Sequence, residues 1–318
     1  CETKVERGSR VFPVSDHASD VSRAFLNALR GQALKLQVEA LGLVIEEGRV
    51  TGVRVRDAQG ERVIPCDCAV LATGGVSYPV TGSTGDGLRF AQEAGHTIVP
   101  LRPSLVPLEV KEPWVKQLQG LSLKNICLSA AVHGKIKYCE MGEMLFTHFG
   151  VSGPLVLSAS AHMRNMGKAA YRLEIDLKPG LDEKKLDARI LRDFEKYSNK
   201  EFKNALTDLA GRTMIPVLVR LSGIPEDTKV NAITHEQRMR LLHLFKAFPV
   251  SVTGTRPIDE AIVTAGGVST KEINPRTMES KLMPGLYFAG EVLDLDGYTG
   301  GFNLQIAWST GYVAGNSI

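Results

Sequence analysis

The chain has 318 residues, and one domain per roughly 150 residues gives an expectation of two domains. Apolar residues make up 43% and charged residues 23%, enough to build a core without a disulfide or metal staple, and a net charge of +3 is too small and dispersed to indicate a nucleic-acid partner. No apolar run approaches the ~18 residues of a membrane span, and the opening Cys1-Glu2-Thr3-Lys4 has no apolar signal region. The five cysteines (Cys1, Cys66, Cys68, Cys127 and Cys139) are an odd, scattered set without a C-x-x-C pair, which fits free thiols in a reducing cytoplasm.

Along the chain, Val21, Ala24, Phe25 and Ala28 predict a helix over 20–29, with Ser19 or Asp20 as its cap. Strands are expected at 34–39, 42–46 and 49–56, with Glu47-Gly48 and Ala58-Gln59-Gly60 as turns. Residues 62–64 lead into Cys68-Ala69-Val70-Leu71-Ala72, a wholly apolar run expected of a parallel strand covered on both faces. A Gly/Ser/Thr loop and a helix over 88–94 follow, and Pro100, Pro103 and Pro107 mark a boundary. Residues 104–177 read as a β-rich module, broken by a helical segment over 153–161. Residues 181–248 read as helical, with Leu186, Ile190, Leu191 and Phe194 on one stripe, Phe202, Leu206 and Leu209 on another, and a capping box at Thr234 to Gln237. Strand and glycine-loop texture returns from Pro249 and ends in a helix over 304–314. The simplest organisation is a discontinuous α/β domain, 1–102 and 249–318, interrupted by a β-rich insert, 103–178, and a helical insert, 179–248.

Three segments carry chemistry. Cys68 to Ala72 ends in Thr73-Gly74-Gly75, which bares main chain at the carboxyl end of a strand, where α/β sheets bind ligands. A plain strand-to-turn junction would look the same. Thr81-Gly82-Ser83-Thr84-Gly85-Asp86-Gly87 precedes a helix; its N–H groups would face an anion, or Thr84 or Asp86 would simply cap that helix. The strand 286–289 ends in Gly290-Glu291, an acid placed to accept from a sugar-alcohol or ribose hydroxyl. Gly297-Tyr298-Thr299-Gly300-Gly301-Phe302-Asn303 then opens the last helix, whose free N–H groups and dipole suit an electron-rich carbonyl such as a flavin pyrimidine edge. No metal site is expected, since Cys66-x-Cys68 has no partner pair and His133, His148 and His162 are scattered.

Together these segments resemble the HI0933-like flavoproteins, a family that includes aminoacetone oxidases and BaiN-like reductases. The resemblance rests on Arg10-Val11-Phe12-Pro13-Val14-Ser15, Ala18-Ser19-Asp20-Val21, Ala72 to Gly75, Thr81 to Gly87, Phe146 to Pro154, Thr264-Ala265-Gly266-Gly267-Val268, Gly290-Glu291 and Gly297 to Asn303. It runs from Arg7 to Gly315. It implies a glutathione-reductase-type FAD-binding domain, discontinuous, with a β-barrel-like insert and a helical insert. It also implies an FAD-dependent oxidoreductase of cytoplasmic location that moves a hydride through flavin N5 between a small organic substrate and NAD(P)H or oxygen. The family's opening strand, G-x-G-x-x-G turn and helix do not precede Cys1, so the FAD domain is expected to be incomplete and FAD binding by this chain impaired. The alternative is an inert fragment or a flavin-free binding module.

By this resemblance the cofactor-binding residues are Arg10, Ala40, Thr73, Gly74, Gly75, Gly266, Gly267, Gly290, Glu291, Gly300, Gly301, Phe302 and Asn303. Arg10 would reach a phosphate, Ala40 adenine, and Gly266 and Gly267 the isoalloxazine. Tyr298 is the candidate proton donor, with an aromatic lid as its other reading. Tyr78 and Phe302 are candidates for a pocket wall. The expected partner is a small molecule, with neither nucleic acid nor membrane.

Overall fold

The computed structural model describes residues 1–6, 8–164, 166 and 169–318; Arg7, the first residue of the family-like stretch, lies outside them. The described chain forms two compact units, Cys1–Arg102 with Thr264–Ile318, and Pro103–Val263.

The split unit opens with a hairpin, β1 (Thr3–Glu6) and β2 (Arg10–Pro13), then helix α1 (Ala18–Ala28). No side chain caps α1; the Ser15 hydroxyl instead donates to Asp20 at 2.5 Å. An antiparallel meander follows, β3 (Glu39–Glu46), β4 (Arg49–Asp57) and β5 (Gly60–Pro65). The strand expected over 34–39 does not form. Leu34 and Leu36 are exposed and give that segment no buried face, so pairing begins at Glu39 opposite Arg56. Next come β6 (Ala69–Leu71), α2 (Asp86–Glu93) and β7 (Ile98–Ser104). The cap of α2 is Gly85 in the left-handed region; the Thr84 hydroxyl bonds to Asp86 at 2.6 Å, so neither of these side chains caps the helix.

The continuous unit is a closed six-stranded antiparallel barrel with helices on a shared core. Its strands are β8 (Leu108–Val110), β9 (Ser122–Val132), β10 (Lys135–Phe146), β11 (Gly150–Ser152), β12 (Tyr171–Asp176) and β13 (Phe248–Thr255), in the order β10-β11-β8-β13-β12-β9. Alternate residues point inward, as period-two strands require: Ile126, Leu128, Ala130 and Val132 on β9, and Tyr171, Leu173 and Ile175 on β12, are all buried. Helix α3 (Pro154–Ala161) interrupts the strands, and α4 (Glu183–Lys196), α5 (Phe202–Ala205), α6 (Ile215–Ser222) and α7 (His235–Lys246) follow β12. The capping box at Thr234 and Gln237 is present. Leu186, Ile190, Phe194, Phe202, Leu206, Leu241 and Phe245 join Leu128, Leu173, Phe248 and Val250 in one hydrophobic cluster, whereas Leu191 faces solvent.

Residues 249–263, expected with the split domain, lie in the barrel unit. The reason is β13, which pairs with both β12 and β8 and closes the barrel.

The chain returns to the split unit through β14 (Val263–Val268), which pairs with β7, then β15 (Leu286–Phe288) and α8 (Phe302–Gly315). β15 pairs with β6 in parallel, Leu286 opposite Ala69. β6 is expected to be covered on both faces, yet Val70 is 40% exposed while Leu71 on the opposite face is buried, so one face of the strand stays open. Helix α8 is apolar around its circumference and buries Ala314 alone; Phe302, Leu304, Trp308 and Tyr312 are exposed. Phe25 of α1, also exposed, lies 6.2 Å from Trp308 by ring centroids.

His96 clamps the core of the split unit. Its ring packs edge-on against Phe288, with centroids 4.9 Å apart. Its Nδ1 lies 3.2 Å from Glu272 Oε2 and its Nε2 lies 2.8 Å from Ser280 Oγ. With Glu272 ionised, Nδ1–H donates to the carboxylate and Nε2 accepts from the serine hydroxyl. A serine–histidine–acid relay has the same order, but Ser280 is buried and its oxygen also accepts from Leu282 N and Met283 N at 3.0 and 2.8 Å. The trio therefore ties three segments together.

Burial pulls the His96 imidazole below its ordinary value of 6.5. Below that pH the unfolded chain binds a proton that the folded chain resists, so stability is whole above about pH 6.5 and falls as pH drops. Hydrogen bonds from Thr97, and then from His96, hold Glu272 below the usual carboxylate range, which adds a further loss under more acidic conditions. His96→Gln is expected to lower the melting temperature at neutral pH and to flatten its decline toward about pH 5.5. Thermal melts across this range check it; an unchanged slope contradicts the assignment.

Candidate functional site

The site is built where β6 and β15 end, in the split unit. Thr264 is its fixed point. Its Oγ1 accepts from Val76 N at 2.9 Å and Ser77 N at 3.1 Å, and lies 2.8 Å from Ser77 Oγ. Its own N–H donates to Glu291 Oε1 at 2.6 Å. One threonine thus joins the loop after β6 to the acid after β15.

This packing accounts for the Thr73-Gly74-Gly75 sequence. A Cβ at Gly75 would fall 2.6 Å from the Thr264 Cβ and 3.0 Å from Glu291 Oε1, and one at Gly74 would fall 2.8 Å from Ser83 Oγ. The Thr73 side chain lies against Gly87 in the first turn of α2, and its hydroxyl is buried without a hydrogen-bond partner. What this loop would offer a ligand is therefore its main chain. Gly266 packs on the main chain of Val99 and Pro100, and a Cβ at Gly267 would fall 2.6 Å from Val292 O. Close main-chain approach explains both glycines without a ligand.

Glu291 is half-buried. One oxygen is spent on Thr264 N, which leaves Oε2 as the oxygen to receive a ligand hydroxyl. Gly290 donates its N–H to Thr310 Oγ1 at 2.9 Å, which sets the end of β15 against α8.

The turn into α8 is held by one side chain. Asn303 accepts from Gly297 N at 2.8 Å through Oδ1, and its amide donates to Gly297 O at 2.9 Å and Tyr298 O at 3.4 Å. Asn303 is thus spent on the turn itself. Gly301 stands at the N-cap with φ +98°, and no side chain caps the helix. The first N–H groups of a four-turn helix and the positive end of its dipole are left to an external acceptor. Space beside Gly301 is open, and the Cδ of Arg10 would lie 3.6 Å from a Cβ at Gly300. Tyr298 and Phe302 are 46% and 58% exposed, so both flank the open turn.

Of the residues singled out from sequence, the structure brings Arg10 to the turn 297–303 and Gly75 to Glu291 beside Thr264, while Gly74 packs on Ser83 and Thr73 on Gly87. Ala40 lies apart from these contacts, second in β3 and opposite Val55, rather than at the end of a strand starting at Leu34. Tyr78, expected as a pocket wall, is 46% exposed and held with φ +49°. Sequence reading missed Thr264 as a linchpin, because a threonine inside an apolar strand carries no signal until the loop it binds is known. Among the described residues, no group of three His, Cys, Asp or Glu is placed to hold a metal ion. Among the described residues, no helix is long and apolar enough to cross a membrane.

A family model for the HI0933-like protein Rossmann domain matches residues 1–317. The chain belongs to this family. It is 34% identical to the 3-dehydro-bile acid delta(4,6)-reductase of Clostridium scindens over 322 residues, covering 98% of this chain and 76% of that protein. It is 29% identical to the ribosomal RNA dihydrouridine synthase of Escherichia coli over 290 residues, covering 91% of this chain and 67% of that protein. Among solved structures, it is similar to 3-ketosteroid delta1-dehydrogenase from Sterolibacterium denitrificans, with a TM-score of 0.41 and 14% identity over 93% of this chain and 61% of that one.

Thr264→Val keeps the side-chain volume but removes the acceptor of two main-chain N–H groups. It is expected to cost about 1–3 kcal/mol in chemical denaturation. A variant as stable as the parent would remove Thr264 from its role.

Proposed function

We propose that this chain acts in an FAD-dependent oxidoreductase that adds two hydrogens to a polarised carbon–carbon double bond, taking its electrons from NAD(P)H. The observation that carries the reading is the turn 297–303. It presents an uncapped helix start and open space at Gly301, with the Arg10 side chain passing beside Gly300. That set suits a flat, electron-rich group that gains negative charge on reduction. The family relatives support the choice of reaction. A delta(4,6)-reductase and a dihydrouridine synthase both bear names that denote saturation of a carbon–carbon double bond.

FAD, when bound, supplies a two-electron hydride carrier. The α8 N–H groups would face its pyrimidine edge, Oε2 of Glu291 would accept from a ribityl hydroxyl, and Arg10 would offset phosphate charge. Main chain at Thr73, Gly74 and Gly75 would lie along it, with Gly266, Gly267 and Gly290 shaping the strand ends that carry Glu291, and with Ala40 as an adenine contact. The Tyr298 hydroxyl would hold the proton destined for the substrate carbon, and Tyr78 and Phe302 would wall the substrate. The 318 residues contain no G-x-G-x-x-G sequence.

The test is to express the complete gene product, record its absorption spectrum and titrate it with FAD. Flavin absorption is expected, and a preparation that stays colourless after added FAD contradicts the reading. Under anaerobic conditions NAD(P)H should bleach the flavin, and a conjugated enone or a uridine-containing RNA should restore its colour. Oxygen uptake driven by small amines would instead make the protein an oxidase.

Two substitutions refine this. Glu291→Ala is expected to weaken FAD retention about tenfold or more, read by equilibrium dialysis; unchanged retention would take Glu291 out of the site. Tyr298→Phe is expected to leave bleaching by NAD(P)H intact and to slow substrate reduction by about 10²-fold or more in stopped-flow traces. Equal rates would return Tyr298 to a packing role.

A further inference from the structure

The two longest strands of the barrel are β9 and β10, of 11 and 12 residues, and they are joined by a turn at His133-Gly134 with both φ angles positive. Their register sets Cys127 opposite Met141 and Cys139 opposite Ser129, so the cysteines are diagonal neighbours on one face of the hairpin. Their Sγ atoms lie 3.5 Å apart. Cys139 is exposed and Cys127 half-buried beside it. The Ser129 hydroxyl donates to Cys139 Sγ at 3.3 Å. On the other flank of Cys127, β12 brings up Asp176, which is paired with Lys246 at 2.5 Å.

We propose that Cys127 and Cys139 are a redox pair that closes into a disulfide when a hydroperoxide oxidises the outer thiol. A disulfide bond is about 2.05 Å long, so closure asks the sulfurs to approach by roughly 1.5 Å, the scale of a side-chain rotation. The first step is attack of the Cys139 sulfur on the hydroperoxide. The O–O bond breaks, Cys139 becomes a sulfenic acid, and the alcohol, or water from hydrogen peroxide, departs. In the second step the Cys127 sulfur attacks the Cys139 sulfur, and its proton leaves with the hydroxyl as water. Two thiols and one hydroperoxide thus give one disulfide, one water and one alcohol.

The order of events follows from the surroundings. Cys139 meets solvent, so the oxidant reaches it first. Burial, reinforced by Cys139 and Asp176 and opposed by Lys246, pushes the Cys127 thiol up to about 11. Cys127 is therefore a protonated resolving thiol at neutral pH, and closure accelerates as pH rises.

The test uses the full chain treated with one equivalent of hydrogen peroxide, then denatured and titrated for free thiols. The five thiols are expected to fall to three and to return to five with dithiothreitol. Non-reducing peptide mapping should place the bond between Cys127 and Cys139. In Cys127→Ser, dimedone should trap a sulfenic acid at Cys139 and no disulfide should form. Cys139→Ser, at an exposed position, serves as the second variant and should retain its four thiols through the treatment. Persistence of all five thiols overturns the proposal, as does a bond mapped to Cys1, Cys66 or Cys68, or irreversible oxidation of Cys139 with Cys127 still free.

Discussion

Thr264 fixes the site. Its hydroxyl oxygen serves two main-chain N–H groups that lie 188 and 187 residues earlier, and its own N–H meets a carboxylate 27 residues later. A buried N–H without a partner costs about 1–3 kcal/mol, so a single side chain satisfies what would otherwise be a heavy local penalty. Satisfying these donors also decides where Glu291 points. The acid's orientation is thus inherited from the loop after β6, and the carboxyl ends of β6 and β15 cannot move independently.

The glycines of the split unit serve two separate ends. At Gly75 and Gly267 the absence of Cβ lets segments distant in sequence touch main chain to main chain or side chain to main chain. At Gly301 there is open space, and what matters is a left-handed backbone that starts α8 without a side-chain cap. The first group builds the frame, and the second shapes the surface that meets a ligand.

Much of this was legible from residue order. Two short apolar runs ending in glycine marked β6 and β15 as strands, though their parallel pairing shows only in the fold, and the α7 capping box was readable because all its partners lie within four residues. The segment 34–39 misled because alternating leucines suggest a strand, but a strand also needs a neighbour and a buried face. The segment 248–255 misled because glycine-rich, β-prone texture does not say which sheet will accept it; closure of the barrel decides that. The linking role of Thr264, within a segment that carries the family resemblance, and the Cys127–Cys139 pairing escaped the sequence for a common reason. Each depends on a contact that only the folded register creates, and no local spacing encodes it.

The barrel unit is a single uninterrupted stretch, whereas the other unit needs residues from both ends of the chain. Synthesis proceeds from the amino end and domains fold as units. The barrel therefore has all its residues in hand at Val263, while β6 must await β15 and Val76 and Ser77 must await Thr264. During translation β6, β7 and the loop at Val76 and Ser77 therefore stay without their partners while the barrel can already close, so the split unit is completed after the unit inserted into it.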